Sequence, residues 1–294
     1  MSDLVLVTGA TGKTGRSLVS ILEQTGVAYR AASRHGETPF DWSRPETWDA
    51  ALEGATSVYL VAPPGVDDAH SRMVAFVQSA MGKGAHRFVL LSMASLPAGG
   101  PGLGQVHQWL QDNSEDWAVL CPSAFMQNFS EGPFLASIRD EDTIYSNTGT
   151  GRVPFISTLD IAHAAFAALT APGALNSDFT LTGEESISYD RVAELIGQAC
   201  GRRISHTQIS TAAMAERFVR RGLPEGNAMF LAAAYQTIAH GAQDRTAEGF
   251  RTLTGRSPIR FQAFADANAD AWKRGPGRSG PGRSGSRSAP LAQT

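Results

Sequence analysis

Short apolar runs alternate along the first 122 residues with segments whose apolar positions recur every three or four residues. Residues 4–7 are too few for a helix and rich in Val and Leu, which predicts a strand buried on both faces. Leu18, Ile21 and Leu22 follow at helical spacing. The alternation continues with a strand over 27–34 and a short helix to about Leu52. Ser43 with Pro45 and Glu46 reads as the capping box of that helix. A strand spans 57–63, and Asp67 stands where it would cap a helix carrying Met73, Val74, Phe76, Val77 and Met81. A strand over 87–92, a helix near 105–111 and a strand over 117–122 complete the series. Strands alternating with helices across short loops predict an α/β protein with a doubly wound parallel sheet, covered on both faces. Beyond Pro122 the pattern loosens into a helix at 159–170, a strand at 178–182, a helix at 188–200 and helices across 211–241. The organisation expected is a dinucleotide-binding core over 1–125, then sheet completion and a smaller, mainly helical substrate lobe over 126–272. A tail occupies 273–294.

The first strand runs into "VTGATGKTG", residues 7–15, at a strand-to-helix turn. Gly9 allows the tight turn, Gly12 lets backbone approach a pyrophosphate, and Gly15 lets the helix pack closely on the strand. Helix N-terminal amides then face the anion. The spacing departs by one residue from G-x-G-x-x-G, and an ordinary glycine-rich turn is the alternative. Its context favours a Rossmann-type NAD(P) site, to which Thr11, Lys13 and Thr14 are also assigned. The residue ending the second strand meets the adenosine ribose in such a sheet. Ser33 and Arg34 stand there, with no acid before Glu37, which favours the 2′-phosphate of NADP(H) over the 2′-hydroxyl of NAD. Phe40, Asp41 and Trp42 are expected near the adenine, and Ala62 and Pro63 at the end of the next strand.

Composition narrows the class. A hydrophobic fraction of 42% with 18% charged residues is ordinary for a globular protein, and no stretch approaches a membrane span. A strand beginning within a few residues of Met1 leaves no room for a signal peptide, so a cytoplasmic location is expected. Cys121 and Cys200 make neither metal spacing nor a disulfide framework and read as small core residues. Asp160 and His163 lie three apart on a predicted helix, but no third ligand accompanies them, so no metal is expected. Asp160 reads as a helix cap or anchor. The formal charge of −3 divides into a tail of +5 and a body of −8. The tail repeats Gly-Pro-Gly-Arg-Ser at 275–279 and 280–284 and reads as disordered and solvated, without a nucleic-acid or membrane partner.

Four stretches together carry a resemblance: Thr8-Gly9-x-x-Gly12-x-x-Gly15, "DWSRPETW" at 41–48, "VYLVAPP" at 58–64 and "CPSAFMQNFSEG" at 121–132. Over about residues 3–272 the chain resembles the NmrA-like, atypical branch of the short-chain dehydrogenase/reductase superfamily. Within it, the chain is similar to the ergot-alkaloid festuclavine/agroclavine dehydrogenase group. The resemblance implies an extended Rossmann fold, NADP(H), and a substrate pocket between the sheet's edge and the C-terminal lobe. The wider family also includes quinone reductases, isoflavone-reductase-like enzymes and cofactor-sensing regulators without catalysis.

The departures from that family shape the functional expectation. Typical members use a Tyr-x-x-x-Lys pair to shuttle a proton at a carbonyl oxygen. None of Tyr29, Tyr59, Tyr145, Tyr189 and Tyr235 has a lysine four residues on, and the chain has only Lys13, Lys83 and Lys273. Hydride addition to an iminium needs no proton donor, because it yields a neutral amine directly. The chain therefore reads as an NADPH-dependent reductase of a C=N bond in a small molecule of secondary, alkaloid-type metabolism. A cofactor sensor without catalysis and a quinone or enone reductase are the alternatives. Ser92 and His107 are the catalytic candidates, Ser92, Pro122 and Phe125 are expected against the nicotinamide, and Met93, Met126, Asn128, Phe230 and Tyr235 against substrate. Ser123 belongs to the same stretch. The oligomeric state stays open between monomer and homodimer.

Overall fold

A computed structural model describes residues 3–63 and 68–274. Its strands, in chain order, are β1 (Val5–Thr8), β2 (Tyr29–Ser33), β3 (Thr38–Pro39), β4 (Ser57–Val61), β5 (Arg87–Leu91), β6 (Asp116–Pro122), β7 (Thr143–Ser146), β8 (Arg152–Val153), β9 (Ser177–Leu181), β10 (Ile187–Ser188) and β11 (Ser205–Gln208). The helices are α1 (Lys13–Thr25), α2 (Trp48–Leu52), α3 (Ala69–Gly82), α4 (Leu103–Asn113), α5 (Gln127–Ser130), α6 (Leu135–Glu141), α7 (Thr158–Leu169), α8 (Tyr189–Cys200), α9 (Thr211–Val219), α10 (Glu225–Ala239), α11 (Gly249–Thr254) and α12 (Phe261–Ala267).

Seven strands form one parallel sheet in the order β3-β2-β1-β4-β5-β6-β9. The chain winds outward from β1 in one direction and then, from β4, in the other, so strand order reverses between β1 and β4. Ligands bind at such a reversal, outside the carboxyl ends of the strands. Thr8 keeps the two strands together there: its Oγ1 donates to the Tyr59 carbonyl at 2.8 Å and accepts from the Val61 amide at 3.0 Å. On one face Val5, Val7, Tyr59 and Val89 bury against Leu18 and Leu22 of α1 and Ile161 and Ala165 of α7. On the other, Leu6, Val58 and Leu60 bury against Phe76 of α3 and Val106 and Leu110 of α4. Period-two strands buried on both sides account for the unbroken apolar runs in the sequence.

Both α7 and β9 come from beyond residue 125, so the second half does complete the sheet. The rest of it packs around a third apolar cluster containing Phe129, Phe134, Phe155, Tyr189, Ile196, Phe261 and Trp272. Two small sheets brace this lobe, a parallel β7–β11 pair and an antiparallel β8–β10 pair. Trp272 is fully buried and donates from Nε1 to the Phe129 carbonyl at 2.8 Å.

Several local expectations need correction. Ser43 does not open a helix. Its amide and hydroxyl both donate to Asp41 Oδ1, at 2.8 and 2.6 Å, and Glu46 pairs with Arg44. A 3-10 turn at Pro45–Thr47 leads instead into α2. The side-chain acceptor that Ser43 would have offered a helix is thus drawn into a turn two residues back. Of the residues assigned to the tail, Lys273 and Arg274 are described, and Arg274 donates to the Arg139 carbonyl and pairs with Asp142. Asp67 and residues 275–294 lie outside the described residues. Both cysteines are free, Cys121 buried and Cys200 partly so. Among the described residues no helix is long and apolar enough to cross a membrane, and no metal-binding cluster occurs. His163 lies beside Arg256, whose guanidinium is 3.3 Å from its Nδ1.

Asp160 is an anchor and not the cap of α7. Ser157 is the cap, accepting from the Leu159 amide, while Asp160 Oδ2 accepts from the Ile259 amide at 2.9 Å. Burial pushes its carboxyl up to about 6, against the pull of that bond and of Arg256. A folded-state pKa above the unfolded one means that stability is fully present below about pH 4 and is lost as pH rises through 6. Asp160→Asn keeps an acceptor for Ile259 and removes the ionisation. Its stability relative to the parent should therefore rise between pH 4 and pH 7.5, by roughly 2–3 kcal/mol at one pKa unit per 1.36 kcal/mol. Urea unfolding of both proteins at the two pH values measures this, and a pH-independent difference would contradict the anchoring picture.

Candidate functional site

Each glycine of the first turn has a measurable reason. Gly9 has φ +62, the left-handed region, and a Cβ there would lie 3.3 Å from Val61 Cβ. The Gly12 amide donates to the Gly9 carbonyl at 2.8 Å, closing the turn. A Cβ on Gly15 would stand 2.2 Å from that same carbonyl oxygen, so only glycine fits. α1 opens at Gly12 with no side-chain cap and no acid in its first turn. Its leading amides and the positive end of its dipole are therefore available to an anion. Thr14 is buried, Thr11 is exposed, and Lys13 is half-buried at the helix start, its ammonium pKa lowered by desolvation and partly restored by Glu131. Glu131 also receives Arg16 on both carboxylate oxygens, at 2.5 and 2.6 Å, joining the helix to the segment that follows β6.

At the adenosine end β2 stops at Ser33, which is buried and whose carbonyl accepts from the Phe40 amide at 3.0 Å. Arg34 and His35 follow, both exposed at the sheet's carboxyl edge. Phe40 and Trp42 pack edge-on with each other and with Phe76, which makes them the floor of this corner. Ala62 and Pro63 continue β4 at the strand reversal, half-buried.

At the opposite end Ser92 stands one residue past β5. Its amide donates to the Leu120 carbonyl at 2.8 Å, yet its Oγ, on a residue 7% exposed, has no hydrogen-bond partner. A buried hydroxyl in that state is costly unless a ligand completes it. Met93 beside it is half exposed, and the Ala94 amide donates to the carbonyl of Pro122, which ends β6. Phe125 bridges to Ile156, and the Asn128 amide donates to the Phe125 carbonyl. Ser92, Met93, Pro122, Phe125 and Asn128 thus gather about the carboxyl ends of β5 and β6. Ser123 is already engaged, donating to the Pro154 carbonyl at 2.5 Å.

Four expected site residues lie elsewhere. Met126 is 1% exposed inside the lobe core. Tyr235 packs on Phe134, Tyr189 and Phe218, and burial pushes its hydroxyl up to about 12. Phe230 is 76% exposed on α10. His107 is buried, its ring centroid 5.7 Å from that of Trp117, and desolvation lowers its pKa and keeps the ring neutral. Trp117 is the second residue of β6, five before Pro122, or about 16 Å from the strand's carboxyl end at 3.2–3.4 Å per residue. Helical spacing put His107 on the right helix but could not say which end of the sheet it faces. Thr8 and Glu131 stand in stretches quoted from the sequence, but their bonding roles at this edge were not foreseen. Thr8 at least adjoins the glycine turn, whereas Glu131 meets Arg16 across 115 positions, beyond any local signal.

No family model matches the chain. Agroclavine dehydrogenase from Claviceps fusiformis is 35% identical over 284 residues, which cover 91% of this chain and 98% of that protein. Festuclavine dehydrogenase from Aspergillus fumigatus is 36% identical over 293 residues, 92% of this chain and 99% of that protein. Among solved structures, an NADPH-dependent quinone oxidoreductase of Escherichia coli in complex with NADPH superposes with a TM-score of 0.73 at 17% identity, covering 90% of this chain and 99% of that one. The negative transcriptional regulator NmrA in complex with NAD superposes at 0.70 with 15% identity, covering 90% and 94%.

Gly15→Ala tests the turn directly. Its methyl group must push α1 off the Gly9 carbonyl, an overpacking that costs about 1–3 kcal/mol or more. The expected result is a lower thermal midpoint together with loss of most dinucleotide affinity, read by melting curves and fluorescence titration. Affinity retained in full would show that the turn is not the anion cradle.

Proposed function

The chain belongs to the family of agroclavine and festuclavine dehydrogenases, NmrA-like short-chain oxidoreductases, and from that premise we propose that it reduces a C=N bond of a small cyclic amine precursor with NADPH. The observation that carries the reading is a well-formed dinucleotide cradle without a proton relay. The glycine turn and uncapped α1 suit a diphosphate, and Arg34 suits a 2′-phosphate. His107 faces Trp117 at the wrong end of β6, so among the residues gathered at the ends of β5 and β6 the polar side chains are Ser92 and Asn128.

The dinucleotide, when bound, supplies the hydride. This chain's residues bind and orient. Ser92 Oγ offers a hydrogen bond at the reacting end, held in place by its own backbone bond to Leu120. Phe125 and Pro122 supply apolar walls that exclude water, and the half-exposed Met93 can cover a flat substrate. An iminium accepts the hydride at carbon while the C=N pair moves onto nitrogen, so no proton is transferred and a neutral amine leaves. Positive charge passes from substrate to the oxidised ring, and catalysis comes from positioning and from the field of the site.

Absorbance assays of NADPH with cyclic iminium salts, quinones, enones and ketones test this reading. Turnover is expected with iminium salts and not with simple ketones. Ser92→Ala should lower kcat/KM about tenfold, the worth of one hydrogen bond near 1–1.5 kcal/mol. His107→Ala should change the melting temperature while leaving kcat/KM within about threefold, since packing and not proton transfer is lost. Binding of NADPH without oxidation across the whole panel would favour the non-catalytic sensor.

In a separate experiment, Arg34→Ala should remove most of the preference for NADPH over NADH. A charge-assisted bond of about 1.5–3 kcal/mol corresponds to roughly ten- to a hundredfold in affinity. Equal calorimetric affinities in the parent protein would rule out the NADP assignment.

A further inference from the structure

We propose that a recess between α6, β7 and α9 binds the carboxylate of a small organic acid, held by the guanidinium groups of Arg217 and Arg221. It is built wholly from residues of the C-terminal lobe and does not rest on the iminium reading. Phe134, Met214 and Phe218, each at most 3% exposed, make an apolar floor. The Ser137 hydroxyl donates to the Phe134 carbonyl at 3.1 Å, and the Tyr145 hydroxyl is bonded to Glu141. The free side-chain donors that line the recess are those of the two arginines.

Arg217 stacks over the Tyr145 ring, 4.0 Å from its centroid. Its donors lie in the plane of the fork, so stacking leaves them free. The acid beside it, Glu141, stands off at 3.7 Å, beyond hydrogen-bond reach. Arg221 follows just past the end of α9, its amide on the Phe218 carbonyl and its Nη1 donating to the Gly132 carbonyl at 3.4 Å. Among the described residues no carboxylate comes within 4.0 Å of it. Burial, and then the charge of Arg217, hold the Arg221 guanidinium below the ordinary arginine range against the pull of Glu141. Two like charges one helical turn apart thus share a single, loosely held acid. Glu216 and Arg220, the other charged residues at this end of α9, are exposed. The carbonyl end of the helix helps hold the cations without supplying a carboxylate.

The size of the recess selects the anion. Its volume of about 10 Å³ is the room that one water molecule needs. One oxygen of a flat carboxylate fits there while the other meets the arginine forks, whose geometry matches a carboxylate. A tetrahedral phosphate is too bulky for the same seat. The apolar floor keeps water from competing for the charge, and the body of the acid lies outward over the rim. The recess also adjoins the substrate segment, because the Phe134 amide donates to the Asn128 carbonyl at 3.1 Å.

Calorimetry at low ionic strength with sodium benzoate as the probe tests this. The parent protein should bind benzoate saturably, and benzamide, of the same shape without the charge, at least about tenfold more weakly. Arg217→Gln and Arg221→Gln should each weaken benzoate about ten- to a hundredfold, the worth of a charge-assisted hydrogen bond. Arg221→Gln removes no ion pair and keeps a donor for Gly132, so its melting temperature should match the parent, which separates lost binding from lost folding. Arg34→Ala, altered at the adenosine corner, should bind benzoate as the parent does. No benzoate binding, equal binding of benzamide, inorganic phosphate bound as tightly as benzoate, indifference to both arginine substitutions, or loss of binding in Arg34→Ala would each overturn the proposal.

Discussion

The constraint on which the first strand-to-helix crossover depends is the approach of Gly15 to the Gly9 carbonyl, where a single added carbon would sit 2.2 Å from oxygen. It presses the first turn of α1 onto the end of β1, and two consequences follow. The helix axis is set against the sheet, so Leu18 and Leu22 meet α7 as well as Val5 and Val7. The amides of the first turn are also aimed along the strand reversal between β1 and β4, where Thr8 holds the strand ends together. The same glycine thus sets the packing of α1 and leaves its uncapped first turn available to an anion.

The C-terminal lobe depends on that frame. The Asp160 carboxylate on α7 takes the Ile259 amide, Arg16 on α1 takes Glu131 beyond β6, and Trp272 closes on Phe129. Arg87 makes a similar tie at the other end of the sheet, pairing with Asp116 at 2.7 Å while donating to the carbonyls of Leu169, Ala171 and Gly173 that end α7. Each link joins elements far apart in sequence. They tie the lobe, which has an apolar cluster of its own, to the sheet and its covering helices.

These long links also explain what the sequence could and could not reveal. Buried strands and amphipathic helices are local patterns, and β1, β4, β5 and β6 fall within one or two residues of the apolar runs that predicted them. The glycine turn is local too. The two-residue strands β3, β8 and β10 carry no period of their own and exist because a neighbour presents unpaired backbone. Site residues divide the same way. The positions of Ser92 and Pro122 were legible because they lie at strand ends, and strand ends in a parallel sheet share one edge. His107, Tyr235 and Phe230 sit on helices, where spacing tells which residues share a face but not what that face meets.

The two ends of the cleft are electrostatically unlike, and this bears on the chemistry that suits them. The adenosine corner is charged, with Arg34, Asp41 and Arg44 near one another at the surface. The end near Ser92 is built from Pro122, Phe125, Met93 and an unpaired hydroxyl, and the nearby histidine is held neutral by burial on the far side of β6. A carbonyl accepting hydride there would develop an alkoxide which, among the described residues gathered at the ends of β5 and β6, meets the Ser92 hydroxyl but no cationic side chain. An electrophile that arrives positive loses its charge as it reacts, so an apolar wall favours its neutral product. The low polarity of this corner is what supports the proposed iminium substrate: a cation that becomes neutral needs less from such a site than a carbonyl that becomes an alkoxide.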